Sequence, residues 1–224
     1  HTRSTLVSWA RDVYKRQTSA GAVTDSGTLA ITGATTISAS GQDITLDQAA
    51  STFGTLALTG ANVAVTDAGA VDLGASTVAG TLGITSAGAV TDSGTLAVTG
   101  ATTISASGQD ITLDQAASTF GTLALTGANV AVTDAGAVDL GASTVAGTLG
   151  ITSAGAVTDS GTLAITGATT ISASGQDITL DQAASTFGTL ALTGANVAVT
   201  ENAATDLGAS TVSCLLYTSP SPRD

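Results

Sequence analysis

Short runs in which large apolar residues alternate with small or polar ones recur along most of this chain. Clear examples span 28–32, 43–47, 55–59, 62–66 and 81–85. A period of two places Leu, Ile and Val on one face and Thr, Asp and Asn on the other, which predicts half-buried β-strands. Gly, Ser, Asn or Asp bounds each run and supplies the turns. No stretch shows helical spacing of apolar residues, so we expect an all-β protein.

These runs belong to a unit that occurs almost three times. The string TSAGAVTDSGTLA begins at Thr18, Thr85 and Thr152, which are 67 positions apart. The copies span 18–84, 85–151 and 152–213, and the third drifts only after residue 200. Near-identical copies are expected to occupy equivalent environments. A solenoid provides such environments and a closed sandwich does not.

The sequence therefore predicts a parallel β-helix, or β-solenoid, over 18–213. Eight strand-like runs per unit, at three strands per turn, give about three coils of roughly 22 residues in each 67-residue repeat. Parallel strands lie about 4.8 Å apart, so nine such coils would form a rod about 43 Å long.

The two end segments, 1–17 and 214–224, do not share the repeat. Residues 12–17 (DVYKRQ) are one translation of GATGTGTATAAGAGACAG, and the reverse complement of that tag, continued into adapter, translates as residues 214–224 (CLLYTSPSPRD). Both segments thus resemble translated sequencing adapter, as in a metagenomic fragment. We expect them to be non-native and disordered, and exclude them from the fold.

Composition narrows the function of the array. All five Lys and Arg residues lie in the end segments, whereas 15 of the 17 acidic residues lie in 18–213. Such a surface cannot neutralise phosphates, so nucleic-acid binding is excluded. No apolar run approaches the ~18 residues of a membrane span. The array also lacks His, Lys and Cys to activate a nucleophile or to act as a base, so we expect no enzyme and no cofactor.

Carboxylates are the remaining chemical groups, and two of them flank one predicted strand in each copy. The weak calcium candidates are Asp43, Asp47, Asp110, Asp114, Asp177 and Asp181. Four positions along a strand separate the two Cα atoms of a pair by about 13 Å, too far for a glycosidase acid/base couple. Stacked coils could add oxygens for Ca²⁺, but the calcium nonapeptide pattern is absent. Solvated turn carboxylates are the favoured interpretation, with no metal.

The repeat text, for example GTLAITGATTISASGQDITLDQAASTFGTLALTGANVAVTDAG, resembles the repeats of filamentous-haemagglutinin-type exoproteins over 18–213. Those are large bacterial adhesins exported by two-partner secretion. The resemblance implies a right-handed parallel β-helix in an extracellular or cell-surface fibre, without catalytic residues. The family's N-terminal secretion domain is absent from this chain.

Two functions are weighed on this basis. The first is a structural or adhesive segment that contacts host or cell-surface glycans or proteins. The second is a carbohydrate-acting or carbohydrate-binding β-helix domain, which rests on analogy of fold. Exposed solenoid ends would also let copies of the array self-associate.

Overall fold

The computed structural model describes residues 4–5 and 15–218, and it confirms the parallel β-helix. Every strand pairing between the described residues is parallel, and 26 strands join into one continuous sheet, with a further pair beside it. The alternating runs of the sequence become strands with alternating burial. In Thr55–Gly60, for example, every second side chain is buried.

The strands are short and follow one another closely. Up to the end of the first copy they are β1 Ser4–Thr5, β2 Lys15–Thr18, β3 Val23–Thr24, β4 Ala30–Ile31, β5 Thr35–Ser38, β6 Ile44–Leu46, β7 Thr52–Phe53, β8 Thr55–Gly60, β9 Val63–Asp67, β10 Val71–Leu73, β11 Ser76–Val78 and β12 Leu82–Ser86. The second copy contains β13 Val90–Asp92, β14 Leu96–Val98, β15 Thr102–Ser105, β16 Ile111–Leu113, β17 Thr122–Gly127, β18 Val130–Asp134, β19 Val138–Leu140, β20 Ser143–Val145 and β21 Leu149–Ser153. The rest are β22 Val157–Asp159, β23 Leu163–Ile165, β24 Thr169–Ser172, β25 Ile178–Leu180, β26 Thr189–Thr200, β27 Asp206–Leu207 and β28 Thr211–Thr218.

The pairings arrange 22 of these strands in two stacks, and the short strands β4, β7, β11, β14, β20 and β23 form rows beside them. Stack A runs β1, β3, β6, β9, β12, β15, β17, β19, β22, β25, the second half of β26 and β28. Stack B runs β2, β5, β8, β10, β13, β16, β18, β21, β24, the first half of β26 and β27. The chain alternates between the stacks, so each coil contributes one segment to each.

The register fixes the number of coils in a repeat. Val63 of copy one and Val197 of copy three occupy equivalent positions, and both lie in stack A seven turns apart. Val130, their equivalent in copy two, lies in stack B. One 67-residue repeat therefore takes three and a half turns of about 19 residues, where the sequence suggested about three turns of roughly 22.

The number of residues in a coil varies along the array, because the strands and the connections between them differ in length. The straight strand β8 is followed in its stack by two short strands, with β10 paired to its beginning and β11 to its end. The partners Leu56 and Leu73 are 17 positions apart, whereas Ala97 and Thr119 are 22 apart. Loops inserted between the strands thus lengthen some coils while the pairing is preserved.

The inward side chains of both stacks form one hydrophobic core along the axis. Leu, Ile and Val dominate it, and one phenylalanine joins it from each copy, Phe53, Phe120 and Phe187. Eleven rises from β1 to β28, at about 4.8 Å each, make the axis about 53 Å long.

Strand pairing also extends beyond 18–213, which differs from the expected disorder of the end segments. Residues 15–17 pair with β5, and residues 214–218 pair with the second half of β26. Parallel pairing needs only backbone groups and extended residues, so it is open to segments outside the repeat. The rest of the end segments, apart from 4–5, lies outside the described residues.

One polar position in the core has no partner, and it yields a stability prediction. Thr102 is fully buried, and its Oγ1 makes no hydrogen bond; the same holds at Thr35 and Thr169. Thr102→Val keeps the shape and removes the unpaired hydroxyl, so we expect the free energy of unfolding to rise by about 1–2 kcal/mol. Urea denaturation followed by circular dichroism measures this.

Thr103 supplies the control, because it lies next to Thr102 on β15 but is exposed. Thr103→Val should change the unfolding free energy by less than about 0.5 kcal/mol. A loss of stability in Thr102→Val would mean that its hydroxyl is paired.

Candidate functional site

Two loops with exposed tips interrupt one coil of each copy. In copy one they span 39–43 and 47–51 on either side of β6, and each closes with a backbone hydrogen bond of 2.8 Å. We call these two loops the loop pair; its copies span 106–110 with 114–118, and 173–177 with 181–185. Gly41, Gly108 and Gly175 have φ values of 72–75° at the tip of the first loop, a conformation that favours glycine.

The carboxylate at the end of the first loop is tied to the next coil. Asp43 Oδ1 accepts the side-chain amide of Asn62 at 2.9 Å and its backbone N–H at 3.2 Å. The Oδ1 of Asn62 in turn accepts the N–H of Thr81 at 3.0 Å, one coil further on. This Asp–Asn–Thr ladder covers a corner of the coil and returns in copy two at Asp110 and Asn129. The exposed carboxylate therefore stabilises stacking.

A second outward carboxylate lies among hydroxyl groups. Asp72 Oδ2 accepts Thr55 Oγ1 at 2.8 Å and Ser93 Oγ at 2.6 Å, from the coils before and after it. Asp139 accepts Thr122 at 2.9 Å and Ser160 at 2.7 Å in the same way. The carboxylate again connects three successive coils. The sequence interpretation did not single out these residues.

The six calcium candidates do not come together as a binding site. All six are exposed. Among the residues that the structure describes, no three His, Cys, Asp or Glu side chains are grouped so that they could hold a metal ion. Asp47 accepts the side-chain amide of Gln48 at 3.3 Å, which is a local contact on the second loop.

Buried carboxylates are the groups that the sequence interpretation missed. Asp92 is 8% exposed; its Oδ1 accepts the N–H of Asp114 at 2.8 Å and its Oδ2 that of Gln115 at 3.4 Å. Asp25 and Asp159 make the same bonds in the other copies. The carboxylate thus satisfies the N–H groups where the second loop leaves the strand pairing.

A second buried set lies two residues beyond an inward valine. Asp134 is 2% exposed, and its two oxygens accept the N–H groups of Phe120 at 2.9 Å and Gly136 at 2.6 Å. Asp67 does the same in copy one, and the equivalent Glu201 is also buried. Val132 and Asp134 are two positions apart on the same strand, so the alternation places both side chains on the inner face.

Burial changes the protonation of these groups. Desolvation raises the pKa of Asp92, Asp134 and Asp159 above its ordinary value, and outweighs the N–H bonds that lower it. The Asp114 carboxylate raises the pKa of Asp92 further, as Asp181 does for Asp159. The folded chain therefore binds these protons more tightly than the unfolded chain.

This gives a pH prediction whose sign follows from linkage. A carboxyl group with a raised pKa in the folded state stabilises the fold most at low pH, and this contribution is lost as pH rises through the folded pKa. We expect the free energy of unfolding to fall as pH is raised from about 4 towards 7. Urea denaturation across this range measures it.

Replacing the buried carboxyl groups tests their part in that slope. The triple variant Asp92→Asn, Asp134→Asn, Asp159→Asn should depend less on pH than the unmodified chain, whatever its absolute stability. Asp110→Asn, at an exposed position, is the matched control and should leave the three-group contribution in place. An unchanged slope in the triple variant would contradict the assignment.

The described part of the chain contains no helix of the length and apolarity needed to cross a membrane.

A family model described as repeats of unknown function (DUF5649) matches residues 16–59, 60–126 and 127–193. The second and third matches are each one 67-residue period long, in agreement with the repeat read from the sequence. No curated protein and no solved structure matches the chain.

Proposed function

The chain belongs to the DUF5649 family of repeats of unknown function, and on that premise we propose that residues 18–213 form a structural and adhesive rod of a large secreted bacterial surface protein. The observation that carries this proposal is the unbroken ladder of parallel pairings along the whole described array. Each coil contacts its neighbours alone, so length grows with copy number while width does not. A reach-extending element needs this property.

Length against copy number tests the rod. Each added 67-residue unit contributes three and a half rises, or about 17 Å. We expect small-angle X-ray scattering of chains with three, four and six units to show maximum dimensions that increase by about 17 Å per unit at a constant cross-section. An increase in cross-section, or the scattering of an expanded coil, would refute the proposal.

Adhesion and export are the finer parts of the proposal. They are supported by the resemblance to filamentous-haemagglutinin-type repeats and by an outer surface of hydroxyl, amide and carboxylate groups. Antibodies raised against the array should label intact cells of the source bacterium, and beads that carry the array should bind host-cell surfaces. Labelling that requires permeabilised cells would exclude a surface location, and beads that bind no better than beads with an unrelated acidic β-solenoid would exclude adhesion.

Carbohydrate binding is the second candidate, and the exposed ladders favour it over carbohydrate chemistry. Asp43, Asn62 and Thr81 present hydrogen-bonding groups in a row, as sugar hydroxyls require. Catalysis is disfavoured, because 18–213 contains no His, Lys or Cys and its Asp43 and Asp72 are engaged with neighbouring coils. A glycan array tests binding. If the array turned over a polysaccharide and Asp43→Asn abolished this turnover, the chain would be an enzyme.

We also propose that 1–17 and 214–224 derive from a DNA tag. The support is that inverted forms of one DNA tag, continued into adapter, would translate as residues 12–17 and 214–224. Two unrelated protein segments have no physical reason to match one tag in this way. A long sequencing read across the locus decides the matter. If the tails are foreign, the array 18–213 alone should keep the β-sheet circular dichroism of the full chain.

A further inference from the structure

Each copy has one loop pair, so the loop pairs mark the side of the rod on which each copy presents this surface. In copy one the pair flanks β6 of stack A, in copy two it flanks β16 of stack B, and in copy three it flanks β25 of stack A again. The loop tips Ser40, Ser107 and Ser174 are all exposed. The same surface therefore appears alternately on two sides of the rod.

The register gives the spacing of these surfaces. Seven rises separate β6 from β25, so the loop pairs of copies one and three lie about 34 Å apart on one side. The loop pair of copy two lies half a turn around the axis, about 17 Å from each of them along the rod. Whole-turn repeats would instead place all three in one row.

From this geometry we infer that the array is a two-sided display in which copy number sets the valence towards each side. Consecutive copies cannot contact the same flat partner through equivalent residues, whereas alternate copies can. Two copies present one surface to each side and can link partners on opposite sides. Three copies are the minimum for a bivalent contact with one partner, at a spacing of about 34 Å.

The inference rests on the proposed rod, since it gives the rod its contact geometry. It also predicts that insertion or removal of one copy turns everything downstream by half a turn, so odd and even arrays differ in the side on which later segments lie.

Site-specific labelling tests the display directly. In a Cys214→Ser background, cysteines are introduced in pairs, Ser40→Cys with Ser107→Cys, or Ser40→Cys with Ser174→Cys. Each protein is biotinylated, loaded with monovalent streptavidin and imaged by negative-stain electron microscopy. We expect the 40/107 pair to carry streptavidin on opposite sides of the rod and the 40/174 pair on the same side.

Spin labels at the same positions add a distance. The 40/174 pair should give a distribution centred near 34 Å, within the reach of the labels. Streptavidin on one side in both pairs would overturn the two-sided display while leaving the rod intact. Failure of the rod itself would appear separately, as particles without a constant width.

Discussion

Leu140→Ala is expected to cause one of the largest losses of stability in this chain, about 3 kcal/mol of unfolding free energy. Leu140 is 1% exposed on β19 and pairs with Leu123 of the preceding coil. Removing three carbon atoms from a closely packed axis leaves a cavity, and parallel strands held by both neighbours cannot collapse into it. Urea denaturation followed by circular dichroism measures the change.

The repeat supplies its own control. Leu207 occupies the equivalent position of copy three but is 46% exposed. Leu207→Ala should therefore cost about 1 kcal/mol or less, because less apolar area returns to water. If both variants lose the same stability, the loss comes from strand propensity or from the unfolded chain, and the cavity explanation is wrong.

Gly94→Ala is expected to destabilise the chain by about 3 kcal/mol, although it adds a single carbon atom. Gly94 lies at the bend between β13 and β14, and a Cβ there would fall on the backbone of Ala75 in the coil below, 2.7 Å from its Cα. Backbone atoms cannot rotate away as a side chain can, so the two coils must separate locally. The same urea denaturation detects this.

Gly27 is the matched control, since it stands in the same Ser-Gly-Thr-Leu context of copy one and a Cβ there meets nothing within 4 Å. Gly27→Ala should be neutral or slightly stabilising, because alanine restricts the unfolded chain. Gly161 repeats the close contact in copy three, against Ala142, and Gly161→Ala should behave as Gly94→Ala does. Equal effects at Gly27 and Gly94 would indicate a backbone preference of glycine at this bend.

The fold could be predicted because alternation and repetition are both local signals. The predicted runs at 43–47, 55–59, 62–66 and 81–85 each overlap a strand, respectively β6, β8, β9 and β12. The number of residues per coil could not be predicted in the same way. It depends on how many residues the bends and loops insert, and the 17-residue step from Leu56 to Leu73 shares no marker with the 22-residue step from Ala97 to Thr119.

The surface carboxylates could likewise be predicted from local alternation, whereas the partners of the buried carboxylates could not. Exposure of Asp43 and Asp47 was predicted because these positions alternate with the apolar Ile44 and Leu46, which are buried. Parity also marks Asp134 as inward, but inward placement of an acid costs energy unless partners are present. The partners are the N–H groups of Phe120 and Gly136. They become available only where a loop interrupts the strand pairing, which depends on the tertiary structure.

The short step of 17 to 22 residues between paired positions also bears on how fast the array folds. Long-range pairing slows most β-proteins, because distant segments must meet before any contact stabilises them. Here each new coil closes a loop of about the same short length against a coil already formed, at the same entropic cost however long the array becomes. Growth from one end should therefore proceed at a rate per coil that does not depend on copy number. A chain emerging progressively from a narrow exit could fold as it appears, without waiting for its other end.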